Sequence, residues 1–206
     1  MKINKVIKIL ITSDIFLNSG WGLLAPVFAI FILQNIQGGN AKVAGFAAMT
    51  YWIVKSSLQV PIGRYLDKNH GEKDDLYFLI LGTILVGFVP FGYLGSSLPW
   101  HIYLCQILQA VGMAMVIPPW DAIFTRHIDK GKEAFEWSLE STTLGFSAGI
   151  AGAVGGLLVA LVGFKIVFIL VGSFTFLAAA LLFLIRKELI PKTKPSLPTL
   201  PFKPSF

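Results

Sequence analysis

Polar side chains interrupt the long apolar runs of this sequence, and their types suit binding a solute better than bond-making chemistry. Asp14 and Asn18 are one helical turn apart in the first run, and Lys55 and Gln59 are one turn apart in the second. An ionisable group inside a membrane span is costly unless it faces a cavity or a partner. We therefore predict a polar path through the membrane formed by Asp14, Asn18, Lys55, Gln59, Gln106 and Gln109.

Two of these residues have a more specific expectation. Lys55 lies near the middle of its apolar run, so a contact with Asp14 or Asn18 across a central cavity is expected. Asp14 lies in the first turns of its run and has an alternative, in which its carboxylate snorkels to the cytoplasmic interface. The sequence leaves both interpretations of Asp14 open.

Several kinds of enzyme and metal site are excluded by the residues present. Ser147 lies in a G-x-S-x-G pattern, but that nucleophile motif needs a strand–turn–helix, and here it lies inside an apolar run. Cys105 is the single cysteine, and the three histidines are far apart without ligand spacing. Gly131-Lys132 is followed by Glu rather than Ser or Thr, so it is no phosphate-binding loop. We expect no enzyme activity, no cofactor and no metal.

Composition identifies the elements that carry these residues. Of 206 residues, 55% are hydrophobic and 14% are charged, whereas soluble domains carry charge on about 25%. A membrane-spanning helix needs about 20 mostly apolar residues. Six segments meet this requirement and predict an all-α membrane protein with six transmembrane helices, at 9–33, 43–66, 76–95, 99–124, 138–162 and 164–185.

The basic residues predict how these helices cross the membrane. Fourteen Lys and Arg residues fall in the terminal segments and alternate loops, and two fall on the opposite side. By the positive-inside rule both termini are cytoplasmic, in a multi-pass protein of the plasma membrane. The net charge of +6 therefore reflects contact with the lipid bilayer rather than nucleic acid. The expected organisation is a cytoplasmic N-terminus (1–8), a membrane bundle (9–190) and a mobile Pro-rich cytoplasmic tail (191–206).

The loop after the second span contains the most informative motif. Gly63, Asp67 and Lys68 are followed by Gly71 and Glu72, and this stretch resembles the signature loop of the major facilitator superfamily of secondary transporters. Gly71 comes one residue later than in that pattern, and Glu72 replaces a basic residue. The resemblance implies a conformational switch at the cytoplasmic side, formed by Gly63, Asp67, Lys68 and Arg126. The alternative is an ordinary solvated turn.

Further positions support the same resemblance. Pro118 and Arg126 end the fourth span, and an acidic-basic-Gly-basic turn follows at 129–132. We expect Asp121 and Arg126 to join Asp67 and Lys68 in a cytoplasmic charge cluster, and Trp120 and Trp137 to lie in an interfacial belt. The fifth span is rich in glycines for helix packing, although the family's proline is absent: Gly145, Gly149, Gly152 and Gly156.

The resemblance implies a fold and a function. The family has twelve spans in two halves, each a pair of inverted three-helix repeats, and residues 1–190 match the N-terminal half. We expect transmembrane transport of a small-molecule solute by a secondary carrier that needs a second bundle, supplied by a homodimer or a separately encoded second half. The alternative is a non-transporting membrane assembly subunit or an inactive truncated transporter half.

Overall fold

The computed structural model describes residues 3–68 and 71–189. The expected Pro-rich tail, the first two residues and two residues of the motif loop lie outside this range. Within the described ranges there are helices and no strands. They are α1 (Lys5–Leu24), α2 (Phe28–Asn35), α3 (Ala41–Lys68), α4 (Glu72–Leu94), α5 (Pro99–His127), α6 (Glu133–Val162), α7 (Phe164–Leu182), a short 3-10 turn (Phe183–Ile185) and α8 (Arg186–Leu189).

Local sequence signals explain several helix boundaries. α1 begins after Asn4, whose side-chain oxygen accepts a hydrogen bond from the Val6 amide at 2.9 Å. α5 begins at Pro99. The N–H of a first helical residue has no partner within the helix, so a proline, which lacks that N–H, costs no hydrogen bond there. α6 and α7 meet at Gly163, whose φ of 82° is in the left-handed region that favours glycine.

The first predicted span is bent rather than straight. α1 and α2 are separated by three residues that include Pro26, and their axes differ by 42°. Proline supplies no backbone N–H and clashes with the preceding turn, so a helix breaks there. The predicted span at 9–33 is therefore two helices joined at a break. Hydropathy does not detect this break because the residues on both sides of it are apolar.

Length and apolar composition identify four helices able to cross a membrane, and five when α1 and α2 count as one bent span. These four are α4, α5, α6 and α7 with its 3-10 extension. α3 has 28 residues, about 42 Å at 1.5 Å per residue, but its polar residues keep it below the hydropathy criterion. The helical prediction is confirmed for the described residues, and the predicted count of six depends on α3.

The helix contacts follow a regular pattern. α4 packs along α5 and α7, α1 packs along α6 and α7, and α3 packs along α5. The same set of contacts is obtained when α1 is exchanged with α5, α3 with α6, and α4 with α7. The α1–α7 contact becomes α5–α4, the α3–α5 contact becomes α6–α1, and the α4–α7 contact maps onto itself.

Burial is uneven around the bundle. One core cluster lies near the beginning of α1, around Leu10, Leu79 and Phe124, and a second surrounds Phe31 and Phe168 at the other end. α3 and α6 bury few of their residues. On α6, large apolar side chains such as Phe146 and Leu161 are 67% and 72% exposed. These two helices therefore form the open flanks of the bundle.

Candidate functional site

A central cavity of about 280 Å³ opens between α1, α3, α5 and α6. Three of its wall residues are carboxylates, and each comes from a different helix: Asp14 from α1, Asp121 from α5 and Glu140 from α6. Asn18 and Gln109 add neutral polar groups. None of the residues lining this cavity is Lys, Arg or His, so its electrostatic character is acidic.

The three carboxylates face one another without a basic partner. Asp14 interacts electrostatically with both Glu140 and Asp121, and Glu140 interacts with Asp121. None of the three takes part in an ion pair found between the described residues. Asn18 donates to the Asp14 backbone carbonyl at 3.0 Å, which turns its side chain back along α1. The cavity thus concentrates negative charge, with Asp14 and Glu140 partly buried and Asp121 exposed.

Aromatic residues make up half of the remaining wall. Trp21, Tyr51, Trp120 and Trp137 line the cavity. Trp120 stacks on Phe124 with ring centroids 4.8 Å apart, and its indole N–H is buried with no acceptor among the described residues. Trp120 and Trp137, which are expected in an interfacial belt, also lie beside the acidic groups of this cavity.

A second cavity of about 420 Å³ lies beside the first, toward α2 and away from Asp14. The two share Trp21, Tyr51 and Gln109. Gln109 accepts a hydrogen bond from the Tyr93 hydroxyl at 3.3 Å, and Gln106 is buried in the same wall. Four of the six predicted path residues therefore reach these adjoining cavities: Asp14, Asn18, Gln106 and Gln109.

Lys55 occupies a different environment from the one expected. It is only 7% exposed, and its ammonium lies 3.8 Å from the Trp52 ring centroid and 5.4 Å from that of Tyr51. Its expected contact with Asp14 or Asn18 is absent from the hydrogen bonds and ion pairs of the described chain, because the side chain folds back along α3 onto these rings. Gln59 is half-buried on α3 and lines neither cavity.

A second charged cluster lies where α3 and α5 end and α4 begins. Arg126 is paired with Asp75 and lies 3.8 Å from Glu72, and His127 Nδ1 lies 3.4 Å from Glu72. Asp67 faces Arg126 and Glu72 across a cleft of about 320 Å³. We call Arg126, Asp75, Glu72 and Asp67 the end cluster. Asp121 was expected here, but it lines the central cavity because it lies more than one turn before Arg126 on α5.

Comparison with known proteins identifies the family to which the chain belongs. A family model described as the Major Facilitator Superfamily matches residues 11–205. The chain belongs to the Major Facilitator Superfamily. It is therefore a multi-pass membrane protein of a transporter family, as the motif loop indicated.

Individual relatives extend the comparison. The chain is 30% identical over 172 residues to the multi-drug resistance efflux pump PmrA of Streptococcus pneumoniae, covering 81% of this chain and 41% of the pump. It is 24% identical to a PmrA homolog of Lactococcus lactis, covering 87% and 44%. An uncharacterized MFS-type transporter, MJ1560 of Methanocaldococcus jannaschii, is 22% identical, covering 83% and 43%. The matched part is thus less than half the length of each relative.

The superfamily's motif residues lie at the end cluster. Gly63 faces Pro118 of α5, since a Cβ on it would lie 3.8 Å from the proline Cβ, an ordinary contact distance. Asp67 borders the cleft beside Arg126, whereas Lys68 is exposed at the end of α3. Asp75, the direct partner of Arg126, was not predicted. Its signal was the acidic first turn of α4, formed by Glu72, Asp74 and Asp75.

The predicted packing glycines have different surroundings. A Cβ on Gly145, Gly149 or Gly156 would meet nothing within 4 Å, and one on Gly152 would touch Pro26 at 3.8 Å. Gly155, which the spacing did not single out, lies directly against the backbone of Leu23. Gly155 therefore marks a point of close approach between α6 and α1.

Two members of the acidic site had weak sequence signals. Glu140 stands at the beginning of the fifth apolar run, where a carboxylate is usually assigned to the interface. Asp121 stands near the end of the fourth run, beside Trp120. Ser147 donates its hydroxyl proton to the Thr143 carbonyl at 2.7 Å within α6, as membrane helices commonly do.

Proposed function

We propose that this chain forms one bundle of a secondary carrier that moves a small solute across the plasma membrane. The observation that carries the proposal is the pair of adjoining cavities between α1, α3 and α5, in a chain of the Major Facilitator Superfamily. Ionisable residues in such a cavity mark substrate or ion pathways in membrane proteins. Asp14, Asn18 and Gln109 contact the solute first, and Gln106 contacts it in the second cavity.

The proposed topology has six spans arranged as two inverted repeats. The bent pair α1–α2 forms one span, and α3, which is 28 residues long and packs along α5, forms the second. The exchange symmetry of the helix contacts supports the repeat, with α1, α3 and α4 equivalent to α5, α6 and α7. The excess of basic residues beside alternate spans supports cytoplasmic termini at 1–8 and 191–206, around a bundle at 9–190.

Alternating access requires a second bundle beside the first. The open flanks of this bundle, α3 and α6, carry large exposed apolar side chains next to the cavity mouth. A partner bundle on these flanks encloses the cavity between two surfaces. We propose that a second copy or a separately encoded half supplies it. The glycines of α6 without neighbours, Gly145, Gly149 and Gly156, are then free for that contact.

The end cluster is the proposed switch between the two access states. Arg126 is bound to Asp75, which is fully buried, and Asp67 and Lys68 extend the charged seam along α3. Pairs of this kind can stabilise one of two packings of the same helices. Lys55 and Gln59 lie on α3 between the charged seam and the cavities. We assign both residues to the solute path because of this intermediate position.

Proteoliposome uptake tests the transport proposal. Wild-type protein is reconstituted, an ion gradient or the solute gradient alone is imposed, and a panel of radiolabelled solutes is followed. We expect uptake of at least one solute, a loss with Lys55→Ala or Asp67→Ala, and normal uptake with Lys42→Ala, which is exposed outside both cavities. Absence of uptake by every oligomeric form would contradict an active carrier. A strict monomer in native mass spectrometry would contradict the homodimer.

A further inference from the structure

Two turns are tied to each other at the end of the bundle opposite the end cluster, where α3 and α5 begin and α4 ends. The first turn joins α2 to α3, and the second joins α4 to α5. The backbone N–H of Gln37 in the first turn donates to the Ser97 carbonyl in the second at 2.9 Å. In the proposed topology both turns lie on the outer side of the membrane. Their contact therefore holds the outer ends of four helices together.

His101 fixes the second turn through a single ring nitrogen. Its Nδ1 lies 3.1 Å from the Ser97 amide nitrogen and 3.3 Å from that of Leu98. Backbone N–H groups can only donate, so Nδ1 accepts both bonds and the ring proton lies on Nε2. His101 is the third residue of α5, a position where a Glu or Gln side chain commonly accepts from the N–H at the helix start. His101 caps the helix in the same way with a group that titrates.

Protonation of the ring removes this cap. An imidazolium carries protons on both ring nitrogens and has no acceptor left, so the amides of Ser97 and Leu98 lose their partner. The exposed Trp100 ring, whose centroid is 4.0 Å from that of the imidazole, offers the charged ring a face to move onto. Ser97 also supplies the carbonyl that holds Gln37, so a turn that shifts to hydrate its freed N–H groups carries this carbonyl away.

No carboxylate at this end compensates for the added charge. The stretches 15–66, 76–120 and 141–187 contain no Asp or Glu, and every helix end on this side of the described bundle lies within them. None of the ion pairs between described residues involves His101. Titratable side chains near this end are neutral or cationic at neutral pH: Lys42, Tyr93, Tyr103, Cys105 and Lys165. Protonation of His101 therefore breaks two hydrogen bonds without forming an ion pair.

His127, at the end cluster, has the opposite arrangement. Its Nδ1 lies 3.0 Å from the Ile123 carbonyl, which can only accept, so this nitrogen carries the proton of the neutral ring. A Glu72 carboxylate oxygen lies 3.4 Å from the same nitrogen. Protonation of His127 therefore keeps its hydrogen bond and adds an ion pair. The two histidines form a matched pair, because acid removes contacts at one end of the bundle and adds one at the other.

We propose that His101 is a pH-sensitive latch: the neutral ring holds the α2–α3 and α4–α5 turns together, and its protonation releases them. Histidine is the side chain that ordinarily changes charge between about pH 5 and 8. In the proposed topology the latch responds to the pH outside the cell, and acid favours opening of the outer side. The inference goes beyond the transport proposal, since these hydrogen bonds do not depend on a solute.

Hydrogen exchange of the two turns tests the latch. The full chain in phosphatidylcholine nanodiscs is exchanged at about pH 5 and about pH 8, read at single residues by mass spectrometry and divided by the rates of unstructured peptides of the same sequence. We expect the amides of Gln37, Ser97 and Leu98 to be about fivefold less protected in acid, with amides in the middle of α4 unchanged. Equal protection of the turns at both pH values would overturn the proposal.

Two substitutions separate the charge from the cap. His101→Gln keeps a neutral acceptor at this helical position, so the turns should stay as protected in acid as they are in base. His101→Leu removes the acceptor, so the turns should show the low protection at both pH values. His127→Gln, the matched control, should keep the wild-type pH response. A response that survives in His101→Gln would overturn the assignment to His101.

Nuclear magnetic resonance measures proton uptake by the ring itself. In a variant with His70→Gln and His127→Gln, His101 is the one remaining histidine, and its ring carbons report its charge. We expect the ring to become charged over the same pH range in which exchange at Ser97 accelerates. A ring that stays neutral in acid, or one that becomes charged without a change in exchange, would overturn the latch. Size-exclusion profiles and circular dichroism of each variant ensure that lost protection is not lost folding.

Discussion

The central cavity and the end cluster both contain carboxylates, but only the end cluster pairs them with a basic side chain. In the end cluster, fully buried Asp75 is bound to Arg126, and Glu72 lies beside both Arg126 and His127. In the cavity, Asp14 and its acidic neighbours have no basic partner among the described residues. The contrast teaches that paired charges hold helices together, whereas unpaired charges in an aromatic wall remain available to a ligand.

Removing the cation of the end cluster should have the largest effect. Arg126→Ala leaves the buried Asp75 carboxylate without its partner, and breaking such a pair costs about 3 kcal/mol of unfolding free energy. Denaturation in mixed micelles, followed by far-UV circular dichroism, measures the loss.

The control for this variant is Lys132→Ala, which removes the half-exposed pair with Asp129 and should cost at most about 1 kcal/mol. Adding Asp75→Asn to Arg126→Ala should restore part of the loss. A stability equal to wild type in Arg126→Ala would remove the structural role of the end cluster.

Close packing between α1 and α6 should have the next largest effect. Gly155→Ala places a methyl group against the Leu23 backbone and forces α6 away from α1, at a cost of about 2 kcal/mol. Gly149→Ala, where a Cβ meets nothing within 4 Å, should leave stability unchanged or raise it by up to about 1 kcal/mol. The same denaturation assay distinguishes them, and equal losses at both positions would contradict the contact.

A charge removed from the cavity should act in the opposite direction from one removed at the end cluster. Asp14→Asn eliminates an unpaired carboxylate from a partly buried site, so we expect unfolding to cost about 1 kcal/mol more than in wild type. A destabilised Asp14→Asn bundle would show that Asp14 holds the helices together, and the contrast between the two regions would fail.

The smallest effect concerns Lys55. Lys55→Met removes a buried charge but keeps an apolar side chain on the Trp52 ring, so we expect unfolding to cost at most about 1 kcal/mol more than in wild type. Lys55→Arg retains the charge and the ring contact, and it should leave the free energy of unfolding unchanged. A large loss of stability in Lys55→Met would show that the charge itself holds α3 in place.

The sequence predicted some site residues because their signals are local. Asp14 and Asn18 share a helix face one turn apart, and both line the central cavity. Gln106 and Gln109 were recognised as polar interruptions of an apolar run, and both line the second cavity. Asp121 was assigned to the wrong charged region because its distance along α5 from Arg126 does not reveal which way each side chain turns.

Hydropathy and motif spacing by themselves determined an all-helical membrane protein of the Major Facilitator Superfamily, because each apolar run reports its own transfer into lipid. Only the tertiary structure decided which charges meet. Arg126 binds Asp75 because α5 packs along α4, and Asp14 shares a cavity with Glu140 because α6 packs along α1. Electrostatic partners depend on distances between helices remote in sequence, and a linear pattern carries no information on those distances.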